Sequence, residues 1–206
     1  IFISVLLDFS PPLIATQILW VNLVTDTLPA ISLGVDPGDH DVMKQKPRDP
    51  KEGFFSGGAG MRAVIGGVLI GSLTLLAFTI GLRERGATLL DSKNAPEDVI
   101  IYARTMAFVV LATSQLFYSL TMRNEVKSIF QIGVFKNKYL ILSIIAGFGL
   151  QYGVITIPFL ADAFQVHALP LNDWIVVFGL ALIPLAVNEV FKVFMRAYRN
   201  KHNIPY

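Results

Sequence analysis

W-V-N-L-V-T-D-T-L-P-A, Trp20–Ala30, is the stretch whose reading decides the fold. Asp26 is the only charged residue between Phe9 and Val35, so a single carboxylate sits inside a run long enough to cross a bilayer. An ionised Asp at the centre of a spanning helix costs roughly 2.5–3.5 kcal/mol on insertion scales. Asn22 lies four positions before Asp26 and Thr25 one before it. On an α-helix that spacing stacks Asn22 over Asp26 with Thr25 beside them, gathering three oxygen-bearing side chains on one face. Pro29 cannot donate to the carbonyl of residue 25, and its ring clashes there, so the helix is expected to unwind near Asp26–Pro29. Freed carbonyls beside a buried carboxylate suit a cation, and broken helices near the midplane are a recurrent transport device. The plainer alternative is a structural Asp paired with a basic residue on a neighbouring helix.

The rest of the chain agrees with a membrane setting. Of its 206 residues, 53% are hydrophobic and only 16% charged, against about 25% in soluble domains; the mean hydropathy is +0.58. Apolar runs place spans at about 9–35, 60–82, 100–122, 139–161 and 173–194. Ile1–Leu7 has the character of the end of a further helix and lacks the basic n-region of a signal peptide. The expected fold is therefore all-α and integral to the membrane, a bundle of five complete helices plus the end of a sixth. Cys is absent, which excludes disulfides, thiolate metal sites and thiol redox chemistry.

Charge distribution sets an orientation. The segment 36–57, the loop around Arg123–Lys138 and the C-terminal Lys192–Lys201 carry the excess of Lys and Arg. Arg83, Arg85 and Lys93 are balanced by nearby acids, and 159–172 has no Lys or Arg. The positive-inside rule puts the first group, including loop 36–57 and the C-terminus, in the cytoplasm. The basic tail is expected to meet anionic headgroups of the lipid bilayer. Gly67–Gly71 and Gly149–Gly153 are small-xxx-small pairs suited to close helix contact; Trp20 and Trp174 are candidate interfacial anchors, with packing inside the bundle the alternative for Trp20, which sits close to the depth of the site.

As a cation site the constellation is incomplete. Ca²⁺ takes six to eight oxygens, whereas Asn22, Thr25 and Asp26 offer at most four side-chain oxygens and one negative charge. Other polar residues in the spans are few: Gln115, Ser119, Gln151 and Asn188. The remaining ligands are expected from helices outside this chain.

Q-I-L-W-V-N-L-V-T-D-T-L-P-A-I-S-L-G, Gln17–Gly34, resembles the sixth membrane helix of P-type cation-transporting ATPases. D-V-M-K-Q-K-P-R-D-P, Asp41–Pro50, resembles the cytoplasmic loop that follows it. R-T-M-A-F at 104–108, F-K-N-K at 135–138 and N-E-V-F-K at 188–192 resemble parts of the eighth, ninth and tenth helices. The resemblance thus covers the whole chain as the end of the fifth through the tenth helix. Asn at 22 points to the calcium-pump branch. It implies Ca²⁺ as the transported ion, with Asn22, Thr25 and Asp26 as ligands and Gln115 as a further candidate. Gln115 stands where two-site pumps carry Glu, which implies one Ca²⁺ per cycle, as in plasma-membrane-type pumps. Mn²⁺, Mg²⁺ or a monovalent cation is the alternative cargo, and a non-transporting assembly module the alternative role.

The resemblance further implies that Asp39, Asp41, Lys44, Lys46 and Arg48 face the phosphorylation domain. The expected partners are the N-terminal remainder of such a pump, with membrane helices one to five and the phosphorylation, nucleotide and actuator domains. Mg²⁺ and ATP belong to those parts, and no nucleic-acid partner is expected. D-K-T-G-T, the string that is phosphorylated in the family, does not occur here, so this stretch by itself holds no catalytic residue and cannot hydrolyse ATP by that route.

Overall fold

A computed structural model describes residues 1–37, 53, 59–124 and 127–201. Every regular element among the described residues is helical, with no strand among them. In chain order the helices are α1 (Phe2–Leu6), α2 (Ala15–Trp20), a π-helical turn (Val21–Thr25) and α3 (Thr27–Gly34). Then come α4 (Ala59–Glu84), α5 (Glu97–Thr121), α6 (Ile129–Ile132), a 3₁₀ turn (Val134–Lys136), α7 (Lys138–Thr156), α8 (Pro158–Phe164) and α9 (Leu171–Lys201).

Four segments, Gly60–Glu84, Glu97–Thr121, Lys138–Thr156 and Leu171–Ala197, are long and apolar enough to cross a membrane. Their outward faces carry Val64, Val68, Leu142, Ile145, Ile175 and Val190, apolar side chains suited to lipid. The fold is thus an all-α membrane bundle, with a helix count that differs from the five complete spans expected. The difference lies in the first span. Pro11 and Pro12 keep the chain non-helical until Ala15, and the helix that follows is divided by the π turn into two short pieces.

Local chemistry sets the helix ends. Gly86, with φ of +78°, terminates α4 in a Schellman arrangement: Ala87 N–H donates to the Leu82 carbonyl (2.9 Å) and Gly86 N–H to that of Arg83 (3.0 Å). Asn137 caps α7, its side chain accepting from Leu140 N–H at 3.0 Å. Pro158 ends α7 by holding Ile157 extended. Glu97 and Asp98 in the first turn of α5 complement its dipole.

α5 is the hub. It packs against α4, α7, α9 and the π turn, and Ala103, Met106, Ala107, Phe108, Val109 and Val110 are wholly buried. Its crossings depend on glycine, but not on the pairs that the spacing suggested. A Cβ on Gly81 of α4 would lie 2.8 Å from the Ala103 Cα, and one on Gly147 of α7 would lie 2.9 Å from Leu116. Gly67, Gly71 and Gly149 meet no other part of the described chain, and Gly153 meets only Ile157. The four-residue spacing marks a smooth stripe; it does not say which face meets a neighbour. Replacing Gly81 with Ala is expected to destabilise the bundle by about 1–3 kcal/mol, because backbone cannot yield as a side-chain tip can. A lowered midpoint of thermal unfolding in detergent checks it.

Candidate cation site

The Asp26 segment is wound differently from expectation. Asp26 N–H donates to the Val21 carbonyl at 3.0 Å, an i→i−5 bond that closes a π turn. Regular α winding resumes at Thr27, and the Asp26 carbonyl accepts from Ala30 N–H at 3.1 Å. The irregularity is therefore a widened turn at Val21–Thr25, upstream of the unwinding expected near Asp26–Pro29. Pro29 is the third residue of α3 and follows the π turn closely; it has no N–H to give to the Thr25 carbonyl, and the wider winding just upstream accommodates that interruption of the i→i−4 ladder.

Widening also separates the candidate ligands. Thr25 is fully buried and turns inward: its hydroxyl donates to the Val21 carbonyl at 2.7 Å and lies 3.4 Å from Gln115 Oε1 on α5. Asn22 and Asp26 are exposed, turned away from the other helices of this chain. Asn22 and Asp26 thus stay on one side of the segment and Thr25 lies on another, because the wider π winding carries the i+3 residue away from the i, i+4 pair. The Asn22 carbonyl accepts from the Thr27 hydroxyl at 3.2 Å. Pro29 is buried. Thr25 and Gln115, far apart in sequence, are neighbours in the fold. Among the described residues no three His, Cys, Asp or Glu side chains gather as a metal site. Asp39, Asp41, Lys44, Lys46 and Arg48 lie outside the described residues.

Several residues that build this region carry little signal in the sequence. One turn before the π turn, the Gln17 side chain donates to the Phe164 carbonyl at 3.1 Å and accepts from Ile14 N–H at 3.2 Å. Trp20 packs inside, the second of the two places its position allowed: its indole N–H donates to Gln151 Oε1 of α7 at 2.9 Å, and its ring meets Phe164 edge-on at 5.2 Å. The half-buried Trp174 ring packs among Phe148, Tyr152 and Phe178 near the start of α9.

At the other end of α3, the Ser32 hydroxyl donates to the Tyr139 carbonyl at 3.2 Å, and the Ser32 carbonyl accepts from the Asn137 amide at 2.9 Å. Asp36 receives the Arg123 guanidinium in a fork, Nε–Oδ2 at 2.9 Å and Nη2–Oδ1 at 3.1 Å, with Nη1 donating to the Gly133 carbonyl at 2.8 Å.

The N-E-V-F-K string ties α9 to the end of α5. Buried Lys192 donates to Glu189 Oε1 at 3.0 Å and to the Thr121 carbonyl at 2.8 Å, and Asn188 donates to Thr121 Oγ1 at 2.6 Å. Glu189 Oε2 accepts from the Ser128 hydroxyl at 2.5 Å and from Ile129 N–H at 3.3 Å. Charged residues ending an apolar run were the available clue to this network.

Comparison with known proteins fits this architecture. The family described as "Cation transporting ATPase, C-terminus" matches residues 10–194. A protein named calcium-transporting ATPase 1 from Bacillus cereus is 50% identical over 197 residues, covering 94% of this chain and 22% of its own length. A calcium-transporting ATPase of Bacillus subtilis is 41% identical over 181 residues, 88% of this chain and 19% of its own. The human calcium-transporting ATPase type 2C member 1 is 31% identical over 192 residues, 93% of this chain and 20% of its own. The chain thus spans about a fifth of the length of these curated relatives. A chain that carries an interrupted apolar helix with a single carboxylate, packed on a bundle whose hub is α5 and matched over nearly all its length, belongs to the family of cation-transporting P-type ATPase C-terminal membrane regions.

Proposed function

We propose that this chain is the ion-translocating membrane portion of an ATP-driven Ca²⁺ pump that moves one Ca²⁺ per cycle, with Asn22, Thr25 and Asp26 as ligands. The observation that carries this reading is the widened turn itself, which leaves the segment's only carboxylate, Asp26, exposed with Asn22 on one side while Thr25 meets Gln115 on the other. A neutral amide on α5 leaves the donor set with one negative charge from this chain. Affinity for Ca²⁺ is tuned by the number of charged ligands, so a second ion held by α5 is disfavoured. The names of the relatives support Ca²⁺ as the cargo.

In this reading α2 and α3, with the π turn, act as one span, in addition to spans near 60–82, 100–122, 139–161 and 173–194. The loop 36–57 and the C-terminus lie in the cytoplasm of a plasma-membrane pump, and Asp39, Asp41, Lys44, Lys46 and Arg48 contact its phosphorylation domain. That domain, with the nucleotide and actuator domains and their Mg²⁺ and ATP, belongs to the N-terminal remainder of the pump. The outward turn of Asn22 and Asp26 supports the same view, since it presents both to helices one to five.

A cation panel tests the assignment. Phosphorylation of the full-length pump by ATP is expected to be activated by Ca²⁺, with one ⁴⁵Ca²⁺ occluded per phosphoenzyme. Activation by Mn²⁺ or a monovalent cation but not Ca²⁺ overturns the ion. Two Ca²⁺ per phosphoenzyme overturns the role given to Gln115.

A further inference from the structure

The π turn poses a mechanical question. A single π turn is a rare, less favourable winding, and the α2 piece before it has only six residues, too few to be stable alone. Something outside the segment must hold it. Gln151 of α7 is wholly buried, and its amide nitrogen has no hydrogen-bond partner among the described residues. A leucine there would fill the space without burying unmet donors, which are costly. What leucine cannot supply is the oxygen that accepts from Trp20, the residue directly preceding the π turn.

We propose that Gln151 is a positioning residue for the cation site: through its one bond to the Trp20 indole it fixes the rotation at which the chain enters the π turn. Asn22 and Thr25 lie within that turn and Asp26 closes it, so the angle of entry sets where their oxygens stand. The Phe164 ring and carbonyl hold the same turn through Trp20 and Gln17. Neither of these contacts restrains the indole N–H, so the direction of that bond belongs to Gln151.

This inference rests on the reading of Asn22, Thr25 and Asp26 as ligands. In the full-length pump, Gln151→Leu and Trp20→Phe are each expected to raise the Ca²⁺ concentration for half-maximal phosphorylation about tenfold, the order expected for one buried hydrogen bond. Maximal phosphorylation should stay within about twofold of wild type, because no ligand is removed. The double variant should match either single one, since both remove the same bond. Unchanged half-saturation in both single variants overturns the proposal, as does an additive double variant. Trp20→Phe keeps the ring on Phe164, so the test survives if Gln151→Leu does not accumulate. Asp26→Asn in parallel separates the two ideas. If it abolishes activation while Gln151→Leu shifts nothing, only the positioning role falls; if it leaves activation normal, the site itself falls.

Discussion

Asp26→Asn is expected to abolish Ca²⁺-activated phosphorylation by ATP in the full-length pump. The substitution keeps the size of the side chain and one of its oxygens, so packing along α3 is not the variable. It removes the single negative charge that this chain brings to the site. A divalent ion leaving water needs charged oxygens to replace its hydration, and Asn22, Thr25 and Gln115 are all neutral. Half-saturating Ca²⁺ should rise by a factor on the order of a hundred or more, which is loss of activation at ordinary concentrations. Thermal unfolding of the apo-protein should be unchanged or slightly improved, since a carboxylate with no ion-pair partner among the described residues is replaced by a neutral amide. Activation by Ca²⁺ at the wild-type concentration sinks the assignment of Asp26.

The largest effect on stability is expected at the other end of the bundle, at Glu189. Removing its carboxylate leaves Lys192 buried without its counter-charge and strips the acceptor from Ser128 and Ile129. Breaking one side of a buried ion pair costs about 3–5 kcal/mol, so Glu189→Ala should lower the unfolding midpoint steeply. Replacing both partners, Glu189→Leu with Lys192→Leu, should recover most of that loss, because the buried charge goes with its mate. Part will remain, since Lys192 also serves the Thr121 carbonyl. A Glu189→Ala variant within about 0.5 kcal/mol of wild type, the range of an ordinary surface change, refutes this account.

Hydropathy alone made the membrane class and the long apolar helices legible, because twenty-odd uncharged residues leave the backbone few other solutions. The motif around Asp26 carried the family and the break in the first span. The kind of break was not legible. Pro29 announces a lost hydrogen bond but not whether the chain unwinds after it or gains a residue before it, and the choice depends on what grips Trp20 and Gln17. Glycine spacing misdirected the packing for a related reason. Gly81 and Gly147 matter because Ala103 and Leu116 stand opposite, and no pattern within α4 or α7 contains that fact. The forked pair of Asp36 with Arg123 joins residues on separate segments, and single-chain periodicity has no term for it.

That pair, with the ties of Ser32 to α7, anchors one end of the α2–α3 rod, while Gln151 and Phe164 anchor the other. A rod pinned at both ends cannot slide; it can only twist or buckle where it is softest. Its softest place is the one turn with a residue to spare. The residue to spare at Val21–Thr25 is thus the slack in an otherwise taut line, and it lies where Asn22, Thr25 and Asp26 stand.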